Sequence, residues 1–169
     1  MKNNWRAIIF ILSFIILPAL IFIGCSEKEE KEFYLKDDLL YEVGSGKLFT
    51  GTIKDTVNGK TVIYEVVDGY KNGKFEILNE KGKREMFGHV IKNKNEGNWR
   101  YFYPDGTLES EGNFVNDFPQ GKWNFYYKNG KLKESGSFVN GKRMGLWQQY
   151  DEKGNLTAEI TFKEEEAGK

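Results

Sequence analysis

The chain is poor in the residues that build rigid or metal-held sites: one cysteine, one histidine and three prolines in 169 residues. A lone cysteine excludes an internal disulfide, and one histidine leaves no Cys/His cluster with metal-ligand spacing, so neither metal nor cofactor is expected. Charge of one sign is missing too, with 25 Lys+Arg against 25 Asp+Glu. Without residues 1–24, which hold Lys2 and Arg6 and no acid, the balance is −2. That neutrality excludes a binder of nucleic-acid phosphates, whose affinity rests on clustered cations. Scarce proline beside 19 glycines and 15% aromatic residues reads as sheet and turn.

What is present is a repeat. Gly73, Gly97, Gly121 and Gly145 stand 24 residues apart. Two positions on, Phe75, Trp99, Trp123 and Trp147 keep the step, and nine positions on so do Gly82, Gly106, Gly130 and Gly154. Arg84, Leu108, Leu132 and Leu156 follow, then Val90, Phe114, Phe138 and Phe162. Four units in phase without an insertion mark a repeat architecture. Asn129-Gly130 and Asn140-Gly141 are turn signals because both residue types tolerate positive φ. Each unit is therefore two strands, and short connections make every strand antiparallel to the next. The expected fold is all-β, a single-layer antiparallel β-meander of tandem hairpins over residues 40–163, with about ten strands.

Taking Asn129-Gly130 as a two-residue loop, Tyr127 faces Leu132, Phe125 faces Glu134 and Trp123 faces Gly136. By the same count Trp99 faces Gly112 and Phe75 faces Gly88. A ring over a strand glycine shelters bare backbone. Pro104-Asp105-Gly106 admits instead a three-residue turn with a bulge, which shifts the pairing by one. Leu108 and Phe114, like Leu132 and Phe138, fall on one face by alternation. The ladder Phe75, Trp99, Trp123 and Trp147 reads as the apolar face of the fold, or else as rings open to a ligand. Phe102, Tyr126 and Tyr150 point the other way and, with Tyr103 and Tyr127, make the better candidate binding surface. In the last unit Ile160 takes the glycine position.

Residues 1–24 have the parts of a secretory signal: basic Lys2 and Arg6, an apolar run from Ala7 to Ile23, and small Gly24 before Cys25. Phe22-Ile23-Gly24-Cys25 resembles a bacterial lipobox, which implies a lipidated Cys25 and a membrane tether. The alternative is an uncleaved anchor helix. Residues 25–39, with the run Ser26 to Glu32, read as a charged linker, and 33–39 as a loose lead-in with at most a helical turn. Glu164 to Lys169 is a charged tail that discourages edge pairing.

The segments Gly121-Lys122-Trp123, Tyr126-Tyr127, Gly130-Lys131-Leu132, Gly136-Ser137-Phe138 and Asn140-Gly141-Lys142 resemble the MORN-repeat variant family, whose bacterial members often carry a YwqK-type antitoxin label. The resemblance covers about residues 40–163 and implies tandem hairpins with a scaffold or binding role and no catalytic residues.

No enzyme is expected from the residues either. His89 occupies an offset held by Asn113, Ser137 and Thr161 in other copies, so it reads as a solvent-side strand residue. Glu109, Glu111 and Glu134 fall at different offsets, so no acid pair repeats, although folding could still assemble one; most read as cross-strand partners of Lys131 and Lys133. The expected protein is an envelope lipoprotein, at the outer membrane or cell surface where there are two membranes, with a non-catalytic repeat domain that contacts a protein partner. Glycan or choline-type ligands on the aromatic rows, and neutralisation of a partner protein, are the alternatives. Self-association through sheet edges is a further expectation.

Overall fold

A computed structural model describes residues 32–163. The apolar run, Cys25 and the tail from Glu164 to Lys169 lie outside those residues. No helix occurs among the described residues.

The chain opens with a hairpin of β1 (Phe33–Lys36) and β2 (Leu39–Glu42). Asp37 and Asp38, both at positive φ, make its two-residue turn, and Tyr34 stacks on Tyr41 across it at 5.2 Å. The lead-in from Phe33, which read as loose, is thus a paired strand and its turn; residues 25–31 of the linker lie outside the described residues. A short Asp-Asp turn admits left-handed backbone, which the charge of the segment masks.

Ten further strands form one sheet in unbroken chain order. They are β3 (Gly51–Val57), β4 (Lys60–Val67), β5 (Tyr70–Leu78), β6 (Arg84–Ile91), β7 (Lys94–Phe102), β8 (Leu108–Val115), β9 (Phe118–Tyr126), β10 (Leu132–Val139), β11 (Lys142–Tyr150) and β12 (Leu156–Phe162). All neighbours are antiparallel, as a meander requires.

Two kinds of turn alternate from β4 onward. Along one side, Asp68-Gly69, Lys92-Asn93, Asn116-Asp117 and Asn140-Gly141 are two-residue turns with both residues at positive φ. Along the other, loops such as Pro104-Asp105-Gly106 hold three residues. Tyr103 N–H donates to the Thr107 carbonyl, and Gly106, at φ 92°, donates back to Tyr103. Asn129-Gly130 belongs to this second kind, since Tyr127 N–H donates to the Lys131 carbonyl at 2.8 Å. It is not the two-residue loop that its sequence suggests.

The extra loop residue puts Leu132 opposite Tyr126 rather than Tyr127. A bulge at Lys133 then restores the count, so that Phe125 faces Glu134 and Trp123 faces Gly136. The same happens at Glu109, where Phe102 faces Leu108 but Trp99 still faces Gly112. Because a bulge turns side chains over, Leu108 and Leu132 join the face of Phe102 and Tyr126. They do not share a face with Phe114 and Phe138, as strict alternation suggested. Neither leucine packs against the buried aromatic cluster.

Candidate functional site

Each face of the sheet is built from the repeat, and the core lies on only one of them. Trp99, Trp123 and Trp147 are 1, 2 and 0% exposed. Phenylalanines from the second strand of each unit stand between them edge-on. Phe114 meets Trp123 at 5.2 Å and 87°, and Phe138 meets Trp147 at 5.0 Å and 87°. This edge-to-face order places ring hydrogens on ring faces and fills the layer without a second sheet. Tyr101 and Phe125 pack against the same cluster, and burial pushes the Tyr101 hydroxyl pKa up.

The glycines are covered by the strand that follows, not by the one that precedes. Phe87 pairs with Arg100 and His89 with Glu96, so Gly88 alone faces the three residues Gly97–Trp99. The same one-against-three bulge sets Gly112 against Gly121–Trp123 and Gly136 against Gly145–Trp147. A Cβ on Gly88, Gly112 or Gly136 would lie inside the indole of Trp99, Trp123 or Trp147 respectively. The pairing expected from the hairpin count is present in register, but the sheltering ring comes from the other side.

The bulge interrupts the ladder at these points, and the indole bonds there. Trp99, Trp123 and Trp147 donate from Nε1 to the carbonyls of His89, Asn113 and Ser137 at 3.1, 3.1 and 3.2 Å. The first copy replaces the whole device: Tyr64 stands in the glycine place and the smaller Phe75 in the tryptophan place, stacked at 6.2 Å. Among the described residues no strand follows that of Ile160, so no indole there requires a glycine. Cations close both ends of this face. Lys71 lies 5.3 Å over Tyr64, its pKa lowered by burial, and Arg143 lies 3.9 Å over Trp147.

On the outer face Phe102, Tyr126 and Tyr150 are half-buried, each opposite a leucine. The Tyr126 hydroxyl donates to Glu111 at 3.0 Å, and that of Tyr150 to Gln148 at 3.1 Å. Burial first, and then this bond to Glu111, raise the Tyr126 pKa. Tyr103 and Tyr127 reach forward one copy and donate to the carbonyls of Tyr126 and Tyr150 at 2.7 and 2.8 Å. Their hydroxyls fasten neighbouring hairpins together. Asp151, at the same offset in the last copy, bonds its own loop instead, accepting from the N–H groups of Lys153 and Asn155.

Glu111 and Glu134 pair with arginines rather than with the expected lysines. Arg100 meets Glu111 at 3.3 Å, and Arg143 holds Glu134 with two bonds of 2.6 and 2.9 Å. Lys131 instead donates to the Lys153 carbonyl, and Lys133 lies over the Tyr127 ring. Arg100 directly faces Glu111, whereas Arg143 faces Phe138 and reaches Glu134 along the strand, past the bulge at Gly136 and over the Trp147 ring; the lysines sit at the loop and the bulge. His89 is exposed, in register between Lys74 and Glu96. Among the described residues no three His, Cys, Asp or Glu side chains gather to hold a metal.

One feature of the outer face did not emerge from the aromatic rows. Val67, Ile91, Val115 and Val139 recur one position after the buried Val66, Val90, Phe114 and Phe138, and all four are exposed. They pair with Tyr70, Lys94, Phe118 and Lys142, of which Phe118 is 57% exposed. The signal was available as an apolar pair at four successive steps, Val66-Val67 to Phe138-Val139, one side chain in and one out, and it ends at Phe162-Lys163.

Three stretches of the chain, residues 95–116, 119–140 and 145–164, match the family model of the MORN repeat variant. They span the copies that carry tryptophan; the copy with Phe75 and Tyr64 precedes them. No curated protein matches the chain.

Proposed function

We propose that these MORN-variant repeats are the non-catalytic, partner-binding part of a lipoprotein tethered at the bacterial envelope through Cys25. The observation that carries the reading is the outer aliphatic row of Val67, Ile91, Val115 and Val139, exposed beside Phe118 and Tyr70 while the opposite face is packed. Single exposed apolar residues are ordinary on any protein, but a row repeated copy after copy is a surface for docking. A protein partner is favoured over a glycan or a choline-type ligand because stacking needs open ring faces. The indoles are sealed, and the hydroxyls of Tyr103 and Tyr127 are engaged. Neutralising a partner protein would use the same outer row. Catalysis is left out because Glu111 and Glu134 are tied to arginines and His89 stands apart from both.

Two measurements test this. Metabolic labelling with a radioactive fatty acid should mark the chain, and Cys25→Ser should carry no label and leave the membrane fraction; an unlabelled native chain sinks the anchor. Photo-crosslinking in intact cells from a probe at Val115 should join the chain to one defined protein, and Val139→Asp should abolish that product. A product unaffected by Val139→Asp, with tryptophan near-ultraviolet circular dichroism unchanged, removes the outer row as the docking surface.

A further inference from the structure

We infer that the sheet continues from one copy of this chain into the next, β12 of one molecule pairing antiparallel with β3 of another. The inference goes beyond partner docking and depends neither on the anchor nor on the outer row.

β3 and β12 are the two end strands of the ten-stranded sheet, and each has seven residues. Strand direction alternates through the sheet, so β3 of a second copy enters beside β12 in the sense that the meander would itself take next. The faces agree as well. Ile160 faces Trp147 on the aromatic side, and Ile53 faces Tyr64 on that same side. Setting Ile160 opposite Ile53 puts Glu159 opposite Lys54, Thr161 opposite Thr52 and Phe162 opposite Gly51. Ala158 then meets Asp55 and leaves room for its carboxylate. Three of these are favourable cross-strand combinations: an ion pair, a hydroxyl pair and an aliphatic pair. Gly51 is already covered by the Phe49 ring of its own chain, so Phe162 opposite it adds nothing.

No neighbouring register does as well. A slip of one residue turns every side chain to the wrong face. A slip of two parts Glu159 from Lys54, and in one direction it sets Asp55 against Ile160. Pairing β12 with β12 around Glu159 opposes two like charges. Ile160 also makes this end different from the interior: it fills the space that Gly136 leaves for Trp147, so the arriving strand needs only Ile53 there and no indole. From Ala158 to Phe162, β12 carries neither proline nor lysine, the usual guards of an open edge. Such a head-to-tail contact leaves one edge free at each end of a dimer, so assembly continues beyond two copies.

Sedimentation of the full chain in detergent over a range of concentrations tests this. Glu159 and Lys54 are exposed, so their reversal leaves the fold in place, with indole circular dichroism as the check. Native protein should grow beyond a dimer as concentration rises. Glu159→Lys or Lys54→Glu alone should each raise the concentration needed by about tenfold, the swing from attraction to repulsion across one strand pair. The double variant, and an equimolar mixture of the two single variants, should both recover native association. A monomer at every concentration overturns the inference. So does indifference to Lys54→Glu, or single losses that neither the double variant nor the mixture restores.

Discussion

Gly112 shows how much one side chain decides in this protein. Its α-hydrogen faces the Trp123 indole, and a methyl there would occupy the ring. Its backbone is not in the left-handed region, so the requirement is room and not conformation. Gly112→Ala should therefore destabilise by about 1–3 kcal/mol, as overpacking does. Adding Trp123→Phe to it should cost less than the sum of the two single changes, because Tyr64 with Phe75 is a natural version of a larger residue under a smaller ring. Urea unfolding of the four proteins checks both statements.

Asp105 and Asp151 carry a pH dependence at the same scale. The Asp105 carboxylate accepts from the Thr107 hydroxyl and N–H, and that of Asp151 accepts from the Asn155 side chain and N–H and from Lys153 N–H. Both carboxyl pKa values are held below the ordinary 3.8. A group with its pKa depressed on folding lends stability above its unfolded value and withdraws it as pH falls through the folded one. The thermal midpoint should therefore drop below about pH 4. Asp105→Asn/Asp151→Asn should lose less over that interval.

At the scale of the element, two-residue turns are bonded to the strand before them in matched pairs. Asn93 accepts from Lys71 N–H and donates its own N–H to the Lys71 carbonyl, and Asp117 does the same with Asn95. The first and fourth turns have glycine there instead: Gly69 donates to the Phe49 carbonyl and Gly141 to the Pro119 carbonyl, and neither has a side chain to accept with. At the fourth turn nothing is left unsatisfied, because Pro119 has no N–H. Gly141→Asp alone should be unfavourable, adding a carboxylate with no donor beside the Phe118 ring. Pro119→Asn alone should cost about 1–3 kcal/mol for an unpaired N–H. Together they should recover about 1 kcal/mol of coupling in a double-mutant cycle.

For the whole molecule, the unit of construction is the step from a glycine to the tryptophan eleven residues on. Deleting residues 97–120 brings Trp123 to that distance from Gly88 and should leave a sheet two strands shorter. We expect a single cooperative unfolding transition with buried-type indole fluorescence and a urea slope lower by about a fifth. Deleting residues 97–119 puts Trp123 one residue out, and every side chain beyond it then faces the wrong way. That protein should show exposed indoles and no cooperative transition.

Much of this was legible from spacing alone: the 24-residue step, antiparallel neighbours, the tryptophan row and the partners of Gly88, Gly112 and Gly136 in register. Those features repeat along the chain, and each copy votes for the same reading. The two-residue loop at Asn129-Gly130 and the alternation of Leu132 with Phe138 were misleading because a turn signal does not carry loop length. The loop and the bulge each add a residue, and their effects cancel at Trp123 but not at Leu132. By itself, then, the amino-acid order determined the strands and their succession, through periodicity and turn chemistry that act within a few residues. Only the assembled sheet decided which ring covers which glycine and that Arg143 holds Glu134. Each of these is chosen by the strand on the far side, across a bulge whose register no single strand encodes.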